Sequence, residues 1–297
     1  NKMLVVNGGY PGGEACLSAL RAWKKINNKN KCFYNFHNYA KKNRKGIYFI
    51  DDFLNNLIDE QTGLNTDKFL SVSKSCINSL KNRNKLKVKS LEFIYNGIDF
   101  KIKKFNHKLN DLKKFKAKKI ILMLANFEPR KGFHFIFKTF DEIYKNRKDI
   151  VLLICGDSNS SEFENIKKLR DQFNSKKNIY LNKFNQNVAN LYKISDVVVI
   201  PSIADESFGY VYPEASLFKK PVIASKIGGL KEIISNNYDG YLVSVDNYKS
   251  FSISILKLIN NKNLAKLITS RSYKKVKNKF SAKLMSYNYY KTINRYK

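Results

Sequence analysis

Short apolar runs recur along this chain. Nearly every one leads through a loop into a stretch whose apolar positions repeat with helical spacing. Residues 3–6 predict a first strand, followed by the glycine-rich loop Gly8-Gly9-Tyr10-Pro11-Gly12-Gly13 and a helix over 14–25. Residues 32–36 predict the next strand, with His37-Asn38-Tyr39 at its C-terminal end. Helices over 50–60 and 74–81 flank a strand at 69–72. A further strand at 92–95 closes on the turn signal Asn96-Gly97. The basic stretch 41–45 reads as a loop, and the polar, Lys-rich segment 100–118 as an interdomain linker.

The alternation then restarts. Strands at 119–125, 150–155, 179–181, 197–200, 222–224 and 241–243 alternate with helices at 133–145, 162–173, 189–193, 210–218 and 230–235. Residues 246–260 and 264 onward read as helical, and the last helix, 281–297, is expected to cross back onto the first domain. Near-continuous apolar strands between helices imply a parallel, doubly wound sheet covered on both faces. The predicted organisation is one domain over 1–100 and a second over 101–280.

A length of 297 residues suits two domains, and 43% hydrophobic residues is enough for two cores. The net charge of +32 is extreme, and it comes with abundant Asn, Ile and Tyr. It reads either as the codon bias of an AT-rich genome or as a preference for an anionic partner: a membrane surface, a substrate or nucleic acid. The charge is spread along the chain. No basic run is interleaved with aromatics, so no nucleic-acid partner is expected. Cys16, Cys32, Cys76 and Cys155 lack metal-ligand spacing. Cys155 ends an apolar strand and reads as a buried thiol, which suits a reduced, cytosolic compartment. No apolar run approaches the ~20 residues of a membrane span, and no signal peptide is evident. The chain begins on Asn1 rather than Met, which points to a fragment or a processed product.

Candidate chemistry concentrates in Asp205-Glu206-Ser207-Phe208-Gly209-Tyr210-Val211-Tyr212-Pro213-Glu214-Ala215, directly after the apolar run 197–200. Strand, short loop, then helix start is where open α/β sheets bind ligands. The N–H groups of such a helix start suit a phosphate, and carboxylates beside a phosphate suit sugar hydroxyls. Glu206 is expected in the loop and Glu214 about two turns into the helix, with Gly209 allowing close approach of a ligand. Pro213 requires the helix to begin near Tyr210. The plainer alternative is two glutamates solvating a helix. Glu128-Pro129-Arg130-Lys131-Gly132 also follows a strand, so Arg130 and Lys131 could neutralise a diphosphate leaving group. Taken alone, it is a solvated basic turn. Gly228-Gly229 reads as a tight turn or as a backbone nest for an anion. His37 reads as a satisfied buried histidine or as a ligand of a reacting sugar.

In order, these pieces resemble the retaining glycosyltransferases of group 1 (family 4), whose GT-B architecture sets two Rossmann-like domains facing a crevice. The resemblance runs through Ile94-Tyr95-Asn96-Gly97-Ile98-Asp99, Glu128 to Gly132, Cys155-Gly156-Asp157, Ser195-Asp196 to Ser202, Glu206 to Glu214, Gly228-Gly229-Leu230-Lys231-Glu232 and Asp239-Gly240. It implies that Glu214 holds the ribose of a nucleotide sugar, and that Glu206 contacts hydroxyls of the transferred sugar. Lys131 would bind the diphosphate with the backbone of Ser207, Phe208 and Gly209, and His37 would lie close to the reacting sugar. It implies transfer with retention from a UDP-sugar, or less readily a GDP-sugar, to a glycan or lipid-linked acceptor of the polysaccharide or lipopolysaccharide kind. No metal is required and no cofactor is expected. The enzyme would be cytoplasmic, docked peripherally on the anionic inner face of the cell membrane. The base would lie near Lys183 and Phe184.

Two departures stand out. Ala125-Asn126 replaces the family's Gly-Arg, so an uncharged Asn126 stands where a main diphosphate ligand is usual, and Arg130 is the candidate substitute. Only about 95 residues precede the Asn-Gly-Ile-Asp segment, so the first domain is expected to be incomplete, with an exposed sheet edge. Residues 4–40 fit a late strand, loop and helix of that domain. Alternatively, their Gly-Gly is its first glycine loop followed by a deletion. The competing readings are a nucleotide-sugar-binding remnant without turnover and, from charge alone, a nucleic-acid-binding protein.

Overall fold

Two separate parallel sheets organise the chain, one of four strands and one of six. The structure, a computed structural model, describes residues 1–41, 49–100, 118–157, 161–183 and 188–295. The basic stretch beyond Lys41, the expected linker over 101–117 and Phe184 lie outside the described residues. Contacts divide the chain into a first unit of Asn1–Gly97, Asp205–Phe208 and Ala282–Lys297, and a second of Ile98–Ala204 and Gly209–Ser281.

The first unit contains β1 (Lys2–Asn7), α1 (Glu14–Ile26), β2 (Lys31–Phe36), α2 (Phe49–Asn65), β3 (Lys68–Ser71), α3 (Lys74–Asn78) and β4 (Leu91–Phe93). Its strands pair in the order β1-β2-β3-β4, all parallel. The two inner strands bury Phe33, Tyr34, Phe36, Phe69 and Leu70, as sheets covered by helices require. The edge strand β1 leaves Leu4 and Val6 exposed. Beneath the loop after β2 lies a fully buried ion pair. Arg83 Nη2 donates to Asp59 Oδ1 at 2.8 Å, with side chains 1% and 0% exposed. Tyr10 Oη donates to the same oxygen at 2.8 Å. Tyr10 in turn bridges to Ala40, and its carbonyl accepts from Lys41 N. The turn carrying His37-Asn38-Tyr39 is therefore anchored at its far end by buried charge.

The second unit contains β5 (Lys119–Leu124), α4 (Phe133–Tyr144), β6 (Ile150–Gly156), α5 (Phe163–Arg170), β7 (Ile179–Lys183), α6 (Val188–Ile194), β8 (Val197–Ile200), α7 (Val211–Leu217), β9 (Val222–Ser225), α8 (Leu230–Ile233), β10 (Tyr241–Val243), α9 (Tyr248–Asn260) and α10 (Lys262–Lys279). A last helix, α11 (Ala282–Asn294), groups with the first unit. The second sheet runs β10-β9-β8-β5-β6-β7, again all parallel. The chain starts in the centre at β5, moves out through β6 and β7, then returns to β8 on the other side of β5. The strand order therefore reverses between β5 and β8, which is where doubly wound sheets open a ligand crevice at their C-terminal ends. The α/β class with parallel sheets is as the sequence pattern predicts.

Several local expectations change. Tyr210 is the N-cap of α7, so Glu214 lies in the first helical turn rather than two turns in. Pro213 shares that turn, where its missing N–H breaks no ladder. The helix expected over 74–81 ends at Asn78 and tightens into a 3-10 turn over Ser79–Asn82. The helix expected from 264 onward begins at Lys262 and breaks at Phe280, whose φ of −129° and ψ of 35° leave helical space. Cys32, Cys76 and Cys155 are buried, and burial pushes the Cys155 thiol up to about 12.

Candidate functional site

The loop after β5 is shaped by contacts that only glycine permits. Ala125 N donates to the Cys155 carbonyl at 3.1 Å, and a Cβ on Gly156 would fall 2.0 Å from the Ala125 carbonyl oxygen. Gly156 of the Cys155-Gly156-Asp157 motif thus lets the ends of β5 and β6 close together. Phe127 is buried, stacked on Phe133 and set edge-on to Phe163, which pins the loop to its core. After Glu128, residues Pro129–Lys131 make one 3-10 turn, and Gly132 enters α4 with φ 78°. A Cβ there would meet the Pro201 carbonyl oxygen at 2.0 Å. Ile203 N donates to the Arg130 carbonyl at 2.8 Å. The loops after β5 and β8 are therefore fastened to one another at the switch point.

Within this loop one carboxylate gathers two of the groups put forward for a diphosphate. Arg130 Nε donates to Glu128 Oε2 at 2.6 Å, and Asn126 Nδ2 lies 3.4 Å from Glu128 Oε1. Lys131 is half-buried in the same turn. Arg130 is thus neutralised by Glu128, a pairing between nearby residues whose partner choice the sequence did not reveal.

In the loop from β8 to α7, Asp205 and Gly209 both have positive φ, 50° and 89°. Phe208 and Gly209 are buried and Glu206 and Ser207 are half-buried. Tyr212 N donates to the Gly209 carbonyl and Glu214 N to the Tyr210 carbonyl, each at 3.1 Å. The helix-start N–H of Tyr212 is therefore already engaged inside the turn, while Glu214 N makes the ordinary first bond of the helix. Asp205–Phe208 groups with the first unit, where Tyr39 Oη donates to the Glu206 carbonyl at 3.4 Å.

Glu214 has a partner that the sequence reading did not anticipate. Tyr192 Oη on α6 donates to Glu214 Oε2 at 2.8 Å, and the Tyr192 ring stacks on Phe218 with centroids 5.1 Å apart. Oε1 has no partner among the described residues. Burial pushes the Glu214 carboxyl above its ordinary range, and the Tyr192 hydrogen bond opposes this in part. Tyr192 reads in the sequence only as an apolar position of a short helix.

Other motif residues hold the frame. Asp239 accepts from Tyr212 Oη at 3.0 Å, Ser235 N at 2.8 Å and Lys275 Nζ at 2.9 Å, and so ties the start of α7 to β10. Asp196 accepts from Ile120 N and Lys119 Nζ, both at 2.9 Å, and joins the turn before β8 to β5. Gly228-Gly229 makes the tight turn into α8, with Gly228 at φ 43°.

In the first unit, His37 sits one residue past β2, and its N–H donates to the Asn7 carbonyl at 3.1 Å. Its ring is half-buried, and that burial pulls its pKa down. Among the described residues no group of three or more His, Cys, Asp or Glu is placed to hold a metal ion. None of the described helices is long and apolar enough to cross a membrane.

The N-acetyl-alpha-D-glucosaminyl L-malate synthase of Bacillus anthracis is 30% identical over 249 residues, 82% of this chain and 63% of that enzyme. A capsular polysaccharide biosynthesis glycosyltransferase, CapM, of Staphylococcus aureus is 29% identical over 195 residues, 64% of this chain and 50% of that protein. The chain thus spans less than two thirds of the length of either relative. Among solved structures, HepE of Anabaena in complex with UDP shares the fold. Its TM-score is 0.81 at 17% identity, over 98% of this chain and 78% of that one. Residues 104–275, from before β5 into α10, match the family model described as glycosyl transferases group 1. With more than half of its length matched by that model, this chain belongs to the group 1 glycosyl transferases.

Proposed function

We propose that this chain transfers a sugar from a nucleotide diphosphate sugar, UDP-linked before GDP-linked, to a glycan or lipid-linked acceptor with retention of configuration. The observation that carries the reading is Glu214 at the switch point. Tyr192 holds one carboxylate oxygen, and the other is left to accept ribose hydroxyls. Support also comes from the relative named for capsular polysaccharide biosynthesis and from the neighbour in complex with UDP.

In this reading residues 101–280 form the donor side and residues 1–100, with the last helix, the acceptor side. Lys131 and the backbone of Ser207, Phe208 and Gly209 bind the diphosphate. Glu206 contacts hydroxyls of the transferred sugar and His37 lies near its reacting end. The acceptor hydroxyl oxygen forms the new bond to the anomeric carbon as the bond to the diphosphate breaks. The acceptor's proton passes to the leaving phosphate oxygen. The protein's part is positioning and charge stabilisation, which needs no metal. The net charge of +32 suits docking on an anionic inner leaflet, each near-surface Lys or Arg contributing ~1 kcal/mol.

A second reading is a nucleotide-sugar-binding remnant with little turnover. It is favoured by an uncharged Asn126 and by an Arg130 already paired with Glu128. Calorimetric titration with UDP, GDP and their sugars, beside Glu214→Ala, tests the donor site, and transfer and donor-hydrolysis assays separate the two readings. Binding that Glu214→Ala abolishes is the expected result. No binding by a folded sample sinks both.

A further inference from the structure

We propose that Asn35, backed by Tyr289 of α11, is a positioning residue that fixes the tautomer of His37. Nε2 is held as an acceptor, and Nδ1–H is left as the donor.

Asn35 and His37 are two residues apart along β2 and its extension, so their side chains lie on one face. Asn35 is 2% exposed. Its Nδ2 lies 2.8 Å from Tyr289 Oη and 3.2 Å from His37 Nε2. An amide nitrogen carries two hydrogens and no acceptor capacity, so one hydrogen serves each neighbour. With the amide so turned, His37 Nε2 carries a lone pair, which places the ring proton on Nδ1. An imidazolium would set its Nε2–H against the Asn35 N–H, donor against donor. The half-buried ring disfavours that charge as well. Asn35 Oδ1 is buried without a partner among the described residues. Turned over, the amide would pair that oxygen with Tyr289 Oη–H and His37 Nε2–H and place the ring proton on Nε2, which is the outcome that overturns the assignment. Tyr289 lies 254 positions from Asn35 in sequence. In the sequence it reads only as a packing or interfacial residue of the last helix.

A fixed Nδ1–H makes His37 a hydrogen-bond donor to a sugar hydroxyl oxygen, which favours positioning over proton abstraction. This use of the tautomer rests on the proposed function; the tautomer itself does not. His37 is one of three histidines, so long-range proton–nitrogen correlation spectra of the full chain can assign its ring nitrogens.

The expected wild-type state is neutral, with Nδ1 protonated. Asn35→Asp replaces the donor by an acceptor and should move the proton to Nε2 or charge the ring. Tyr289→Phe, a milder change should Asn35→Asp fail to fold, should move His37 toward the mixed tautomers of free imidazole. Donor affinity should stay within about twofold in both variants, because Glu214 is untouched. Sugar transfer should fall at least tenfold in Asn35→Asp through kcat or the acceptor KM. A wild-type ring protonated on Nε2 would mean that the Asn35 amide accepts rather than donates, and overturns the assignment. So does a His37 spectrum that either folded variant leaves unchanged. If the tautomer switches but transfer does not fall, the positioning stands and His37 leaves the proposed reaction instead.

Discussion

Tyr192 Oη donates to Glu214 Oε2 at 2.8 Å, joining a short helix to the first turn of the helix that follows β8. The bond orients a carboxylate whose affinity for its proton burial has raised. An ionised Glu214 accepts hydroxyls, and a protonated one accepts them poorly. Affinity for a UDP-sugar should therefore fall as pH drops through a value above the ordinary carboxylate pKa. Tyr192→Phe removes the hydrogen bond that favours the ionised form, so the fall should move to higher pH. Titration of affinity against pH checks this, and a wild-type profile identical to that of Glu214→Gln would sink it. For folding the sign differs. With its pKa raised above the unfolded value, Glu214 contributes stability at low pH that is lost as pH rises through the folded pKa.

Arg130 should become available to a diphosphate once its partner is neutral. Glu128→Gln is expected to tighten UDP-sugar binding by up to about tenfold, equivalent to ~1.4 kcal/mol. Asn126→Arg should act in the same direction. Weaker binding in Glu128→Gln would show that Glu128 shapes the loop more than it masks the charge.

Gly132 has a positive φ and no room for a Cβ beside the Pro201 carbonyl. Gly132→Ala should cost about 1–3 kcal/mol from the backbone conformation alone. It should also weaken donor binding more than Gly13→Ala, where a Cβ meets open space. Denaturation and donor titration of the two variants check this.

The buried Arg83–Asp59 pair should be costly to halve. Arg83→Met leaves Asp59 charged and buried, and should destabilise the first unit by about 3–5 kcal/mol. The double variant Asp59→Leu, Arg83→Met should recover much of that loss. Urea denaturation of the three proteins checks it, and an additive double variant would falsify the uncompensated-charge explanation.

How legible each feature was depended on the range of the interaction behind it. Residues 150–155 read as a strand because they are apolar on both faces, and β6 is buried along its whole length. Pro213 located the start of α7 to within a residue, since a ring without an N–H fits only the first turn. Glu214 lies four residues past Tyr210, which at 3.6 residues per turn is about one turn, so its place in the first turn follows from that start and not from a shifted boundary. The motif shows Asn126 as a departure and Arg130 as its substitute, yet nothing in it says that Glu128 captures both.

By itself the sequence determined the α/β class, the alternation of strands and helices and the positions of the switch-point loops. Apolar periodicity, glycine and proline act on their own few residues and leave their mark there. Only the tertiary structure decided that β5 lies between β6 and β8, that Tyr192 meets Glu214 and that Tyr289 reaches Asn35. Those pairings join residues from 22 to 254 positions apart, and they depend on which strands and helices pack side by side. No local pattern of residues encodes that choice, because it is made by the burial of whole faces.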